Sequence, residues 1–245
     1  MMRLRRPSVF AVLLTLAGVV LFIRLGIWQL NRAVEKEQLL RRFATANSAP
    51  TVPFSKVAAG APAHAYPHVS VAGHFLRHHL YVMDDQVLGD RVGVQVYAPF
   101  VVSGGQRVVL VGLGFLPRGG SGKTLPYIPP LPDHRMTLHG LYVPPPAPAL
   151  RMGGNRLPDQ KQWPKTMIYM DLGDISKDLG HPLYPRRLLL DPDPAQPYVR
   201  KWTPGVMPPA RHRGYAFQWF SFAAAAVAIF VILHRRRDPK DASKS

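Results

Sequence analysis

VFAVLLTLAGVVLFIRLGIWQL, residues 9–30, is a run of 22 residues in which the only charge is Arg24. As a helix rising about 1.5 Å per residue it reaches roughly 33 Å, enough to cross a hydrocarbon core. The rival reading is a secretory signal peptide, because Arg3, Arg5 and Arg6 precede an apolar stretch from Val9 to Ile23. No small-x-small cleavage site follows, and Arg32, Lys36, Arg41 and Arg42 suit an interfacial stop. An uncleaved anchor is therefore expected. A second apolar run, YAFQWFSFAAAAVAIFVIL at 215–233, crowds aromatics into its first third and is closed by HRRR at 234–237.

Two spans with arginine-rich outer flanks place both termini in the cytoplasm. The expected organisation is a cytoplasmic N-terminus at 1–8, a transmembrane helix at 9–30 and a periplasmic β-rich domain at 31–211. A second transmembrane helix with its interfacial lead-in follows at 212–233, then a basic cytoplasmic tail at 234–245. With no room for a transit peptide ahead of the first anchor, the expected location is the inner membrane of a bacterium.

Composition narrows the chemistry. Of 245 residues, 26 are Pro, about twice the usual share, which argues against long bundles and coiled coils between the anchors. The absence of Cys removes disulfides, thiolate zinc sites, iron–sulfur clusters and catalytic thiols. Lys and Arg number 31 against 14 Asp and Glu, a net charge of +17. Much of that charge flanks the anchors, so anionic lipid is the expected electrostatic partner and nucleic acid is not.

Between the anchors, short runs rich in Val, Leu and Tyr alternate with Gly and Pro, the pattern of strands and turns. Strands are predicted at 68–75, 80–84, 92–102, 107–116, 135–143, 167–171 and 187–191, with SGGQ at 103–106 turning a hairpin. The predicted fold is therefore a membrane protein whose two transmembrane α-helices flank an antiparallel, β-rich, small barrel-like domain. The Pro-rich stretches 50–67, 121–132 and 144–164 read as loops.

Several enzyme-like motifs dissolve on inspection. Gly122, Lys123 and Thr124 resemble the end of a phosphate-binding loop, but its first Gly would fall at Pro117, and Pro126 stops a helix from following. No nucleotide is expected. Ser55 and Lys56 are adjacent in a stretch read as extended, so they point to opposite sides and cannot pair as nucleophile and base. His74, His78 and His79, with Asp84 and Asp85 as the near acids, match no recognised metal spacing, and no structural metal is expected. No catalytic residue is assigned; a membrane-tethered hydrolase is the alternative to a non-enzyme.

The membrane boundaries say more. At about 100° per residue, His212, Tyr215, Gln218, Trp219 and Phe222 fall within an arc of about 120°. That arc is either an aromatic belt, with Gln218 bonded to a neighbouring helix, or a porphyrin contact in which an imidazole sits beside flat apolar side chains. Arg24, Trp28, Asn31 and Glu35 form a comparable stripe on the first helix, read either as a plain anchor with a snorkelling Arg24 or as a partner contact. In the porphyrin reading His212 is an axial ligand to haem iron and Tyr215 and Trp219 cover the ring. Trp28 closes the other side, and Arg24 or Arg32 pairs with a propionate.

GIWQLNR at 26–32 with Lys36, and HRGYAFQWFSFA at 212–223, resemble the surfeit-locus-one family of cytochrome c oxidase assembly factors. VSVAGHF at 69–75 and VLVGLGFLPRG at 109–119 are similar to the family's strand blocks, and the resemblance covers roughly residues 20–235. Where the family usually has an Asn-Arg-Gly-Trp-x-Pro string, this chain has Gly112, Leu113, Gly114, Phe115, Leu116 and Pro117. The resemblance implies a non-enzymatic assembly factor that assists insertion of haem a, bound transiently, into subunit I of a haem–copper oxidase. The haem a synthesis machinery is a further implied partner. Gly26, Gln29, Arg32, Gln218 and Phe222 are expected in helix or partner packing.

Overall fold

A computed structural model describes residues 7–62, 65–119, 124–146 and 155–235. In chain order its elements are helix α1 (Val9–Ala46), strands β1 (Val52–Pro53), β2 (His68–Phe75), β3 (Tyr81–Leu88), β4 (Arg91–Val102), β5 (Val108–Pro117), β6 (Met136–Val143) and β7 (Lys165–Met167), helix α2 (Leu172–Leu179), strand β8 (Leu183–Leu190) and helix α3 (Pro209–Leu233). The chain divides into two units, at Leu39/Leu40 and at Gly205/Val206.

In the first unit α1 and α3 are both long and apolar enough to cross a membrane. Large apolar side chains such as Phe10, Leu14, Ile27, Phe217 and Leu233 stand exposed around them. That surface suits lipid and not water. The helix does not stop at Leu30: residues 31–46, read from the sequence as the start of the β-rich domain, continue α1. KEQLLRRFATA is rich in helix formers, and Arg32 pairs with Glu35 one turn on at 2.6 Å.

The second unit is a barrel-like sheet. β2, β6, β8, β5 and β4 are neighbours in that order, and pairing of Gly73–Phe75 with Phe100–Val102 brings β4 back to β2. β1 adds to β2, and β3 with β7 adds to β4. Most pairs are antiparallel, but β5–β8, β1–β2 and β3–β7 are parallel. Long connections make this possible, since β6, β7 and α2 all intervene between β5 and β8. β5 sits between two partners and is buried from Val108 to Leu116, which explains its unbroken apolar run. The hairpin at 103–106 joins β4 to β5 as expected, with Gly104 at φ 78.

β5 also accounts for the string at 112–117. Leu113 and Leu116 lie in the main core, and Phe115 bridges to Val199. Gly114 has φ +135, and a Cβ there would come 2.7 Å from Tyr198 Cβ. The polar and Trp positions of the family string are core positions here.

Other boundaries move. The predicted strand 167–171 is only β7, because Asp171 caps α2, its carboxylate accepting from Gly173 N at 2.8 Å and Asp174 N at 3.2 Å. β8 begins four residues before Arg187, and β3 runs on past Asp84 through an irregularity between Met83 and Gln86. Val52–Pro53 form a short strand inside the stretch read as a loop. Ser55 and Lys56 lie in a 3-10 turn and not in an extended segment. Gly122 and Lys123 lie outside the described residues.

Candidate functional site

α3 starts on Pro208 and Pro209, where a missing N–H and a fixed φ suit a first turn. The start brings His212 onto the face that meets α1. Across the first unit the two helices run antiparallel, each with a stripe of buried and half-buried residues. Phe22, Gly26, Gln29 and Ala33 on α1 face His212, Ala216, Trp219 and Ala223 on α3. Both stripes advance by alternating four and three residues, the spacing of a coiled-coil seam. Gly26 allows the close crossing: a Cβ there would lie 2.7 Å from the Phe220 ring. Phe22 stacks on Trp219 with centroids 5.9 Å apart and meets Phe222 at 5.8 Å. An ion pair between Glu37 and Arg213, 2.8 Å, lies further along the pair.

One polar contact sits inside this seam. His212 Nδ1 donates to Gln29 Oε1 at 2.8 Å. In a neutral imidazole that donation leaves the lone pair on Nε2. Nε2 is buried and has no hydrogen-bond partner among the described residues. This is the arrangement by which a neighbour orients a metal-ligating imidazole through its other nitrogen.

The structure separates the remaining predicted residues. Trp219 and Phe222 touch Phe22. Tyr215 and Phe222 border the seam and stay 41% and 51% exposed. Gln218 is exposed, without a hydrogen-bond partner among the described residues, and lines a shallow groove with Gly214 and Tyr215. The amide that pairs the helices is Gln29. Gln218 points off the seam because it stands one position short of Trp219 in the stripe. Arg24 and Trp28 are exposed on α1, and Arg32 lies 5.7 Å over Trp28 on the same helix. Phe22 and Arg213 were not singled out from the sequence. The four-three spacing shared by both helices is the signal that finds Phe22.

The β unit holds two further polar clusters. Lys165 Nζ meets Asp178 at 2.6 Å, and the same carboxylate accepts from the Tyr81 hydroxyl at 2.9 Å. Burial and the Asp178 carboxylate push the Tyr81 phenol well up. In the second cluster Thr51 Oγ1 lies 2.7 Å from His68 Nδ1, and His68 Nε2 lies 2.9 Å from both carboxylate oxygens of Asp191. Ser55 takes no part in this row of hydroxyl, imidazole and carboxylate. His74, His78 and His79 do not gather acids either: Asp84 and Asp85 pair with Arg118. Among the described residues no group of three His, Asp or Glu is placed to hold a metal ion.

A search of curated proteins returns no match. The family model described as the SURF1 family matches residues 16–224, a stretch that takes in the β unit, the seam and both helix motifs. The chain thus belongs to the SURF1 family, which is membrane-anchored and linked to cytochrome c oxidase assembly.

Proposed function

We propose that this chain assists insertion of haem a into subunit I of cytochrome c oxidase, with His212 as the residue that would hold the haem iron during transfer. The observation that carries the reading is the His212 ring: Nδ1 is held by Gln29, and Nε2 is buried without a partner among the described residues. A buried nitrogen with no acceptor or donor is unusual enough to ask for a ligand. Haem, when bound, would supply an iron that an imidazole nitrogen can hold.

The residues of this chain then have defined tasks. Gln29 fixes the ring tautomer and orientation. Nε2 is buried, so access to it requires the side chains packed around His212 to part. Tyr215 and Phe222 at the margin are the apolar cover, and Arg24 and Arg32 are the cations available to propionates. In this reading subunit I and the haem a synthesis machinery are the protein partners, and anionic lipid meets the basic flanks.

Replacing His212 by Ala should remove haem a absorbance from purified protein and lower membrane oxidase activity, while the protein still inserts and its β unit melts as before. An unchanged haem spectrum in His212→Ala, or a wild-type protein that never takes up haem a, would defeat the ligand assignment.

The same reading places the protein in a bacterial inner membrane with both termini cytoplasmic and residues 31–211 periplasmic. The arginine-rich outer flanks support that orientation. Reporter fusions at Ser245 and between Gly104 and Gly105 should report opposite compartments. One compartment for both would reject it.

A further inference from the structure

We propose that the β unit carries a second binding site, independent of the helix seam, for an apolar group bearing a cation. The site is a cavity of about 450 Å³ under the strap Pro129–Pro132, with Leu113, Leu138 and Leu190 as apolar walls and Asp191, Asp193, Tyr198 and Arg200 as polar lining. The volume falls in the range of small-ligand pockets. The strap is held in place from the core side, since Ile128 and Leu131 pack against the main hydrophobic cluster. The cavity is therefore preformed.

Its charge preference follows from the lining. Three of the four strap residues are prolines, which have no N–H to offer an anion, while their carbonyls can accept from a cation. Two carboxylates face the cavity in a chain of net charge +17. Asp193 Oδ1 accepts from Ala195 N at 3.0 Å, and its second oxygen has no donor among the described residues. Arg200 is the arginine in the lining: Nε donates to Leu113 O and Nη1 to Asp191 O, both at 2.8 Å, and its charge also interacts with the carboxylates of Asp193 and Asp191, which leaves one carboxylate charge in excess across the three side chains. Tyr198 is 8% exposed, and its hydroxyl makes no hydrogen bond to a described residue. Burial pushes that phenol up to about 12, so it keeps its proton. The cavity also has Thr137, His139 and Gln196 in its lining, and among its polar groups an uncommitted carboxylate oxygen and a protonated phenol are the acceptors that fit an amine or guanidinium on a hydrophobic stem. Such a group could belong to a small amine or to a polypeptide with an apolar residue beside Lys or Arg.

The test uses the full chain in nanodiscs, with empty nanodiscs as the blank, and measures binding by equilibrium dialysis. The probes are 1-naphthylmethylamine, its anionic counterpart 1-naphthaleneacetate, and the peptide acetyl-Leu-Leu-Arg-amide. Saturable binding of the amine or the peptide, and none of the acetate, is expected. Asp193→Asn keeps the acceptor for Ala195 N while removing the charge, and should weaken binding about fivefold. Tyr198→Phe should weaken it as well, and decides the matter if Asp193→Asn lowers the melting temperature. A peptide that binds more tightly than the amine identifies a polypeptide ligand, and amine binding without peptide binding identifies a small molecule. No saturable binding by either cation, equal binding of the acetate, or wild-type affinity in both folded variants would overturn the proposal.

Discussion

Polar side chains are buried in both units, and they are used differently. In the β unit they close on one another: Lys165, Asp178 and Tyr81 form a complete cluster, and the Arg186 guanidinium donates to the carbonyls of Ala61, Pro62 and Ala65 at 2.6 to 2.7 Å. Three buried atoms are left over there among the described residues: Arg118 Nε and Arg187 Nε belong to guanidiniums already bonded to Asp84 and to the Tyr97 hydroxyl, and Gln95 Nε2 on β4 has no partner. In the helix pair the His212–Gln29 contact leaves one nitrogen of the His212 ring without a partner among the described residues. Closed clusters hold a fold in one arrangement, whereas an open valence in an apolar seam is suited to a ligand.

The sharpest way to break this contrast is to open the closed cluster. Lys165→Ala or Asp178→Ala leaves a buried charge without its counterion and should destabilise the β unit by about 3–5 kcal/mol. Replacing both by apolar residues of similar size should restore most of that loss in denaturant titrations. Should either single variant melt normally yet lose oxidase assembly, the cluster is functional and the contrast fails.

A smaller effect is expected at the helix crossing. Gly26→Val puts a branched side chain where a Cβ already meets the Phe220 ring at 2.7 Å, and overpacking of this kind costs about 1–3 kcal/mol. Phe220→Ala in the same chain should recover part of it in a double-mutant cycle. Absence of coupling between the two positions would show that the helices do not pack through Gly26.

The smallest effects separate the two amides. Gln29→Leu removes the partner of His212 Nδ1 and should weaken helix pairing by roughly 0.6 kcal/mol, the average found for hydrogen bonds between membrane helices. It should also broaden any haem spectrum, because the imidazole loses its orientation. Gln218→Leu should leave pairing within the chain unchanged. Equal losses from both variants would mean that the seam is not the one described.

Much of this molecule can be read locally. The two helices long and apolar enough to cross a membrane are legible from length and hydropathy alone. Most strands follow from short runs rich in Val, Leu and Tyr bounded by Gly and Pro, and the 103–106 turn from its glycines. Helix α2 was legible and missed: Asp171 as cap, Gly180 past the end at φ 70, and apolar residues at 172, 175 and 179 spell a short amphipathic helix. Its preceding residues MIYMD imitate a strand, and strand propensity won over capping.

What only the tertiary structure decided is the pairing of distant residues. The parallel β5–β8 contact, the meeting of Asp178 with Lys165 and the return of β4 to β2 join segments whose separation along the chain carries no periodic signal. The arc at 212–222 gathers His212, Trp219 and Phe222 on one side of the helix, yet an angle on one wheel does not say which edge of the arc faces a neighbour. That edge was settled by Gly26, whose missing side chain lets Phe220 and the rest of α3 approach, and the approach places Gln29 against one nitrogen of His212 while leaving the other without a partner among the described residues. Backbone-local forces act within a few residues and leave their period in the sequence, whereas packing selects among faces only when two elements meet.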